Sequence, residues 1–204
     1  MNGESQTVLT PELADLRTQL ESVNSDAHRL LDRLTDAQAG WQAESGRWSI
    51  GQCISHLIVA SRADLPHIED AIKDARARGL LGNGPFRYNP LERLLTWSMD
   101  APARIKVKNP KVYTPAASYS VKDLSREFFE LQGILLRLLI EANGLHLRRV
   151  RVKLPMTNLF TLSLGQEFAL FIAHQRRHIA QASEVTQSAQ FPGVAHGGEN
   201  PEAG

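Results

Sequence analysis

Four long segments with a helical period of apolar residues constrain the fold of this chain more than any other feature. In the first segment, apolar side chains recur every three or four residues, at Leu13, Leu16, Leu20, Val23, Leu30 and Leu34. This spacing places one continuous apolar stripe along one face of an α-helix. A chain of 204 residues suits a single domain with a buried core. We therefore predict the all-α class and a four-helix bundle.

Helix start signals precede these segments. Pro11 follows Thr10 at the first helical position, where its missing N–H costs nothing. The other three helices are predicted to begin with capping boxes, at Ser49–Gln52, Ser120–Asp123 and Ser163–Gln166. The predicted helices run from near Thr10, from Ile50 to about Arg78, from Val121 to about Ala142, and from Leu164 to about Gln187.

The segments between the long helices give weaker signals. We predict a short extra helix near residues 90–99, loops at 35–48 and 103–119, and one domain over residues 1–188. Residues 145–155 alternate like a strand, but an isolated strand has nothing to pair with, so we interpret them as an extended loop. Residues 189–204 are predicted to form a flexible tail, since they are rich in Gly and Pro.

Charge and composition exclude several classes of partner. The chain has 23 basic and 22 acidic residues, and this balance gives no electrostatic reason to expect nucleic acid or an anionic membrane as a partner. No apolar run approaches the roughly 18 residues of a membrane span, and no signal peptide is evident. The single cysteine, Cys53, excludes an intramolecular disulfide. These features favour the cytoplasm.

A pair of histidines on the fourth segment is the main functional signal. His174 and His178 are four residues apart, which places both imidazoles on one helical face, a turn from each other. That spacing allows two imidazoles to share one metal ion. The alternative is a pair of core histidines satisfied by ordinary hydrogen bonds. His56, two turns into the second helix, is the natural third ligand, although a single histidine there is more often structural.

Other side chains near these histidines each have a possible functional role and a structural alternative. Cys53 could ligate the same ion, but a small buried hydrophobe is the more common role. Gln52 could bond a water at the ion, but its capping box explains it without that. Glu167 is the candidate catalytic acid or base, and the alternative is a solvated first-turn carboxylate. The basic run from Arg148 to Lys153 could recognise an anionic substrate or lie in a solvated loop.

The motifs resemble those of a known family. The segments Trp48–Leu57 and His174–Gln181, together with the short LLTWSM helix, are similar to the signatures of the DinB-like superfamily. This resemblance covers about residues 10–187 and implies an up-down-down-up four-helix bundle that is frequently dimeric. It also implies that His56, His174 and His178 are the ligands of one divalent metal ion, with zinc or nickel the leading candidates.

Relatives in that superfamily include thiol-dependent transferases and isomerases. The resemblance therefore implies metal-dependent S-transferase chemistry on a small molecule, with a low-molecular-weight thiol as co-substrate and the protein as a homodimer. Two alternatives stay open: a metal-dependent hydrolase, and a non-catalytic protein that binds a metal or a small ligand. Fold analogy cannot decide among these functions.

Overall fold

The computed structural model describes residues 8–44, 46–101, 113–115, 120–155 and 160–193. These residues form mostly helices, as expected for the all-α class. They also form one small two-stranded sheet. In chain order the helices and strands are α1 (Pro11–Leu31), α2 (Asp36–Gly40), α3 (Ile50–Ala77), α4 (Pro90–Met99), α5 (Val121–Glu141), β1 (Arg151–Lys153), β2 (Thr161–Ser163) and α6 (Leu164–Thr186). None of the described helices is long and apolar enough to cross a membrane.

The four long helices bury their predicted apolar stripes against each other. α3 packs on α5 and α6, and α1 packs on the same two helices. The shared core includes Leu13, Leu16, Leu20 and Val23 of α1, Leu57, Leu65 and Ile68 of α3, Leu124, Phe128, Leu135 and Leu138 of α5, and Leu164, Phe168 and Ile172 of α6. Helical periodicity therefore predicted correctly which face of each helix is buried.

Two of the three predicted capping boxes cap their helices. Ser49 Oγ accepts from the Gln52 backbone N–H at 3.2 Å, and the Gln52 side chain accepts from the Ser49 N–H at 2.9 Å. Ser120 Oγ likewise accepts from the Asp123 N–H at 3.1 Å. The prediction of a capping box at Ser163 was wrong, since its side chain makes no cap hydrogen bond. The Ser163 hydroxyl instead donates a hydrogen bond to Glu92 of another helix.

The structure also corrects two predicted loops. The segment 35–48 contains the short helix α2, which begins with a complete capping box between Thr35 and Gln38. Residues 151–153, interpreted as extended loop, form strand β1, which pairs antiparallel with β2 in the register Arg151↔Ser163 and Lys153↔Thr161. The partner strand was missed because it is only three residues long and runs directly into α6.

The short helix α4 lies against α6, as a hydrogen-bonded network holds it there. Asn89 caps it by accepting from the Leu91 N–H at 2.9 Å. Glu92 of α4 is buried and accepts from Arg151 at 2.8 Å and from the Ser163 hydroxyl and N–H at 2.8 and 3.1 Å. The Glu92 carboxylate thus joins α4, the hairpin formed by β1 and β2, and the start of α6.

The predicted C-terminal tail and the predicted 103–119 loop lie mostly outside the described residues. Within the tail, the side chain of Phe191 is buried in a second apolar cluster with Ile50, Cys53 and Ala182. The Pro192 carbonyl accepts from the Gln38 side chain at 2.8 Å. The segment that directly follows α6 is therefore in contact with α2 and α3.

Candidate metal centre

Two packed helices bring the three predicted histidines together. The capping box at Ser49 fixes the start of α3, and His56 follows about two turns later on the side that faces α6. His174 and His178 lie one turn apart on α6 and face α3. The ring centroids of the three imidazoles are separated by 5.0 Å (His56–His174), 4.5 Å (His56–His178) and 4.7 Å (His174–His178).

One nitrogen from each ring lies within 4.8 Å of the other two, which is the geometry of a group that could hold a metal ion. Nε2 of His56 and Nε2 of His174 are 3.1 Å apart. Two nitrogens on one ion are about 3.3 Å apart in a tetrahedral site and about 2.9 Å in an octahedral one, for bonds near 2.05 Å. The observed distance lies between these values. It also matches a hydrogen bond between the two rings.

The environment of His56 selects the nitrogen that faces the cluster. Its Nδ1 lies 2.7 Å from the backbone carbonyl of Tyr113, and a carbonyl only accepts, so Nδ1 carries the proton. In the neutral ring Nε2 then keeps its lone pair and points it at His174. A carbonyl that fixes the tautomer in this way is the usual partner of a metal-ligating histidine.

Burial keeps all three rings neutral, which is the state that binds a metal. Burial lowers the pKa of His56, although the hydrogen bond to the Tyr113 carbonyl partly opposes this. Burial and the neighbouring charges of His178, His56 and Arg177 lower the pKa of His174 well below its ordinary value. The pKa of His178 is lowered to about 3 by burial, then by His56 and Arg177, against a hydrogen bond with the Gln181 side chain.

One ring nitrogen of the cluster, Nδ1 of His178, is buried and has no hydrogen-bond partner among the described residues. A buried, unsatisfied imidazole nitrogen is costly unless something outside the polypeptide binds it. Trp48 covers this part of the cluster, with its ring stacked on His178 at 5.5 Å and tilted against His56 at 4.9 Å. The cluster therefore fits a cation that is screened on one side by an aromatic ring.

A second polar group lies along the same helix interface. The Tyr113 hydroxyl donates to Asp64 at 3.0 Å, so one tyrosine joins His56 to a carboxylate two turns along α3. Glu167 lies two turns before His174 on α6, is 2% exposed, and has a buried Oε2 without a hydrogen-bond partner among the described residues. Burial, with the nearby Asp64 charge second, raises the pKa of Glu167 to about 8. Burial raises the pKa of Asp64 to about 7, against the hydrogen bond from Tyr113.

The other predicted site residues have clear positions. Glu167 is not the solvated carboxylate of the alternative interpretation, which was wrong because the folded chain buries its side chain to 2% exposure. Its catalytic role stays a prediction, because seven residues of helix place it about 10 Å from His174 along the axis. Gln52 forms its capping box and also accepts from the Gln42 side chain at 2.8 Å.

Cys53 lies outside the cluster and behaves as a buried hydrophobe. Its side chain is 0% exposed and packs with Ile50, Ala182 and Phe191. Burial raises the pKa of the Cys53 thiol to about 12, which disfavours the thiolate that a metal would need. In the basic run, Arg148 and Arg149 are exposed, whereas Arg151 pairs with Glu92.

Sequence reasoning missed Trp48, Asp64 and Tyr113 as parts of the site. Helical spacing offered a signal for Asp64, which follows His56 by eight residues and so returns to a nearby face. Trp48 directly precedes the cap of α3, but nothing in its position indicated the stacking. Tyr113 lies in an irregular segment 57 residues from His56, so only the folded chain reveals its carbonyl as a partner.

Comparison with known proteins gives one match. A family model of the DinB superfamily matches residues 19–182, which is more than half of the chain and includes all three histidines. No curated protein and no solved structure matches the chain. The match spans α1 from Gln19 through most of α6, so it covers both helices that carry the histidine cluster. The chain therefore belongs to the DinB superfamily.

Proposed function

We propose that this protein is a divalent-metal-dependent enzyme that transfers groups to or from a low-molecular-weight thiol, with His56, His174 and His178 as the metal ligands. One observation carries the proposal: one nitrogen from each of three imidazoles lies within 4.8 Å of the other two, and a backbone carbonyl turns the free nitrogen of His56 toward His174. Imidazole ligands suit zinc and nickel, and three protein ligands leave an open position for substrate.

The residues of the chain have distinct roles in this proposal. A divalent ion in the cluster would favour the thiolate form of a bound thiol at neutral pH. The Tyr113 carbonyl holds the His56 ring in one tautomer, and the Asp64 carboxylate holds the Tyr113 hydroxyl. Trp48 covers the rings of His56 and His178 and excludes water from that side. Glu167 holds a proton at neutral pH, since its pKa is raised to about 8 by burial and by Asp64.

We also propose the up-down-down-up bundle topology that the family resemblance implies. Its support comes from contacts between helix ends. Arg62, in the first half of α3, pairs with Glu127 in the first half of α5 at 2.9 Å. Arg76, at the end of α3, donates to the Glu141 carbonyl at the end of α5 at 2.8 Å. The second and third long helices thus run in the same direction, as that topology requires.

Metal analysis of protein purified without an affinity tag tests the site. We expect one divalent ion per chain in the wild type and its loss in His56→Ala and His178→Ala, because each substitution removes a ligand. His67→Ala is the matched control, since His67 lies on α3 but outside the histidine cluster, and it should keep the ion. Equal metal content in the wild type and both cluster variants would refute the site.

The reaction is tested separately with the metal-loaded protein. We expect it to consume a low-molecular-weight thiol in the presence of an electrophile, and His178→Ala to be inactive. The assay follows loss of free thiol and formation of the thioether by mass spectrometry. Turnover of an ester or amide without thiol would instead identify a hydrolase. Stoichiometric metal with neither reaction would favour the binding-protein alternative.

A further inference from the structure

Helices α3 and α6 are antiparallel at the histidine cluster. Ile50, near the start of α3, packs with Ala182, near the end of α6. Further along α3, His56 meets His174, which comes earlier in α6. Residues that come later in α3 are therefore level with residues that come earlier in α6.

Asp64 and Glu167 lie at a second level of this interface. Asp64 comes eight residues after His56, which is about 12 Å along α3. Glu167 comes seven residues before His174, which is about 10 Å along α6 in the same direction. The two acids are therefore level with each other and lie apart from the histidine cluster, to which neither belongs.

Tyr113 connects the two levels. Its carbonyl oxygen lies 2.7 Å from Nδ1 of His56, and its hydroxyl donates to Asp64 at 3.0 Å. Burial raises the pKa of Tyr113 most, the Asp64 carboxylate raises it next, and the nearby Glu167 charge raises it further. The Asp64 charge also adds to burial in raising the pKa of Glu167. The two carboxyl groups and the phenol are therefore neighbours in space.

The two acids lack a positive partner in the part of the chain that the structure describes. Glu167 is 2% exposed, and its Oε2 is buried with no hydrogen-bond partner among the described residues. Neither Asp64 nor Glu167 takes part in any ion pair of those residues. A buried carboxylate is costly without a counter-charge, and two neighbouring carboxylates are more costly still. A bound cation would supply that counter-charge.

We propose that Asp64 and Glu167 form a second cation site, for a hard divalent ion of the Mg²⁺ and Mn²⁺ class, with Tyr113 holding the Asp64 carboxylate in place. Two carboxylates balance the two charges of such an ion, and oxygen ligands suit these metals rather than the zinc or nickel that imidazoles prefer. Asp64 is only partly buried, so water can complete the coordination from its side.

Titration of the zinc-loaded protein with Mn²⁺, followed by the electron paramagnetic resonance signal of free Mn²⁺, tests this site. Zinc fills the histidines first, because imidazole sites bind it more tightly than Mn²⁺. We expect one Mn²⁺ per chain with a Kd of about 0.1–1 mM, since two carboxylates make a weak site. Glu167→Gln and Asp64→Asn keep the side-chain shape and should each weaken binding at least tenfold. Glu12→Gln is the matched control, as it alters the other tyrosine–carboxylate bond, and it should bind Mn²⁺ like the wild type.

The same titration without zinc separates this site from the proposed function. His178→Ala removes a histidine ligand but neither carboxylate, so it should still bind one Mn²⁺ per chain. The carboxylate site can therefore be present even if the histidine site or the thiol chemistry is refuted. A wild type that leaves all Mn²⁺ free over the expected concentration range would overturn the proposal. Equal Mn²⁺ binding by the wild type, Glu167→Gln and Asp64→Asn would also overturn it, since the ion would then lie elsewhere.

Discussion

Glu92 and Glu167 are two buried glutamates, 7% and 2% exposed, whose surroundings push their pKa values in opposite directions. Burial alone would raise the pKa of Glu92, but hydrogen bonds from Ser163 and Arg151 outweigh it and hold the pKa below its ordinary value. Within the part of the chain that the structure describes, Oε2 of Glu167 has no such donor, so burial and the Asp64 charge raise the pKa of Glu167 to about 8.

The surroundings of Glu92 and the interface between α3 and α6 differ in how completely their buried polar atoms are hydrogen-bonded. Around Glu92 both carboxylate oxygens are paired, and the network joins α4, the hairpin and α6. Between α3 and α6, Oε2 of Glu167 and Nδ1 of His178 are buried and have no hydrogen-bond partner in the described ranges of the chain. Unpaired buried polar atoms are costly, and they persist at sites that bind something else. The comparison can be tested in four ways.

The largest expected effect is the pH dependence of stability set by Glu167. An unfolded glutamate releases its proton near pH 4.5, whereas the folded one keeps it up to about pH 8. The folded state is therefore progressively disfavoured as pH rises through this window, by about 5 kcal/mol from Glu167. Glu167→Gln should remove this part of the slope, and Asp64, whose pKa is raised to about 7, should leave a part of similar size. Urea unfolding with chelator across the window measures the effect.

Glu130→Gln is the matched control for the pH experiment, because Glu130 is exposed on α5. We expect its profile to follow that of the wild type. Parallel stability profiles for Glu167→Gln and the wild type would show that the buried carboxylate does not titrate in this window.

The next largest effect is the loss of the network at Glu92. Glu92→Ala leaves the Ser163 N–H without its acceptor and Arg151 without its partner, and should destabilise the protein by about 3 kcal/mol. Because the folded pKa of Glu92 is lowered, the stabilisation is fully present above the ordinary glutamate pKa and is lost as pH falls from that value through the lower folded pKa. Urea midpoints are compared with those of Arg93→Ala, an exposed neighbour on α4. A loss below about 1 kcal/mol would contradict this assignment.

A smaller effect is expected on metal affinity. Tyr113→Phe removes the hydroxyl that bonds Asp64 but keeps the carbonyl that bonds His56. Without the bond to Asp64, the Tyr113 carbonyl is held less firmly beside His56. The metal affinity should therefore fall roughly tenfold, which competition with a chelator measures. Tyr88→Phe is the matched control, as it removes a similar tyrosine–carboxylate bond, to Glu12, away from the histidines. If the Tyr113 hydroxyl only stabilised the fold, both variants would bind the metal ion with the affinity of the wild type.

The smallest effect concerns Ser163. Its hydroxyl is one of three donors to Glu92, so Ser163→Ala should cost about 1 kcal/mol. In the Glu92→Ala background the same substitution should cost nothing more, which a double-mutant cycle measures. If Ser163 were a helix cap, its cost would be the same in both backgrounds.

The sequence by itself determined where the long helices lie and that His174 and His178 share one face of α6. Helix formation depends on contacts a few residues apart, so the apolar period and the caps at Ser49 and Ser120 located the long helices within a few residues of their ends. The same local geometry placed His174 and His178 on one face. His56 could be named as their partner because it also lies on an inward face of a long helix and because the family resemblance implied it.

Only the tertiary structure decided the rest, because each remaining feature depends on groups far apart in the chain. Ser163 loses its cap because its hydroxyl donates to Glu92, which lies 71 residues before it. Tyr113 and the burial of Glu167 likewise depend on which helices meet. Local propensity cannot determine which distant segment covers a buried side chain or which hydrogen-bond donors that segment offers, and those donors distinguish a paired glutamate from a bare one.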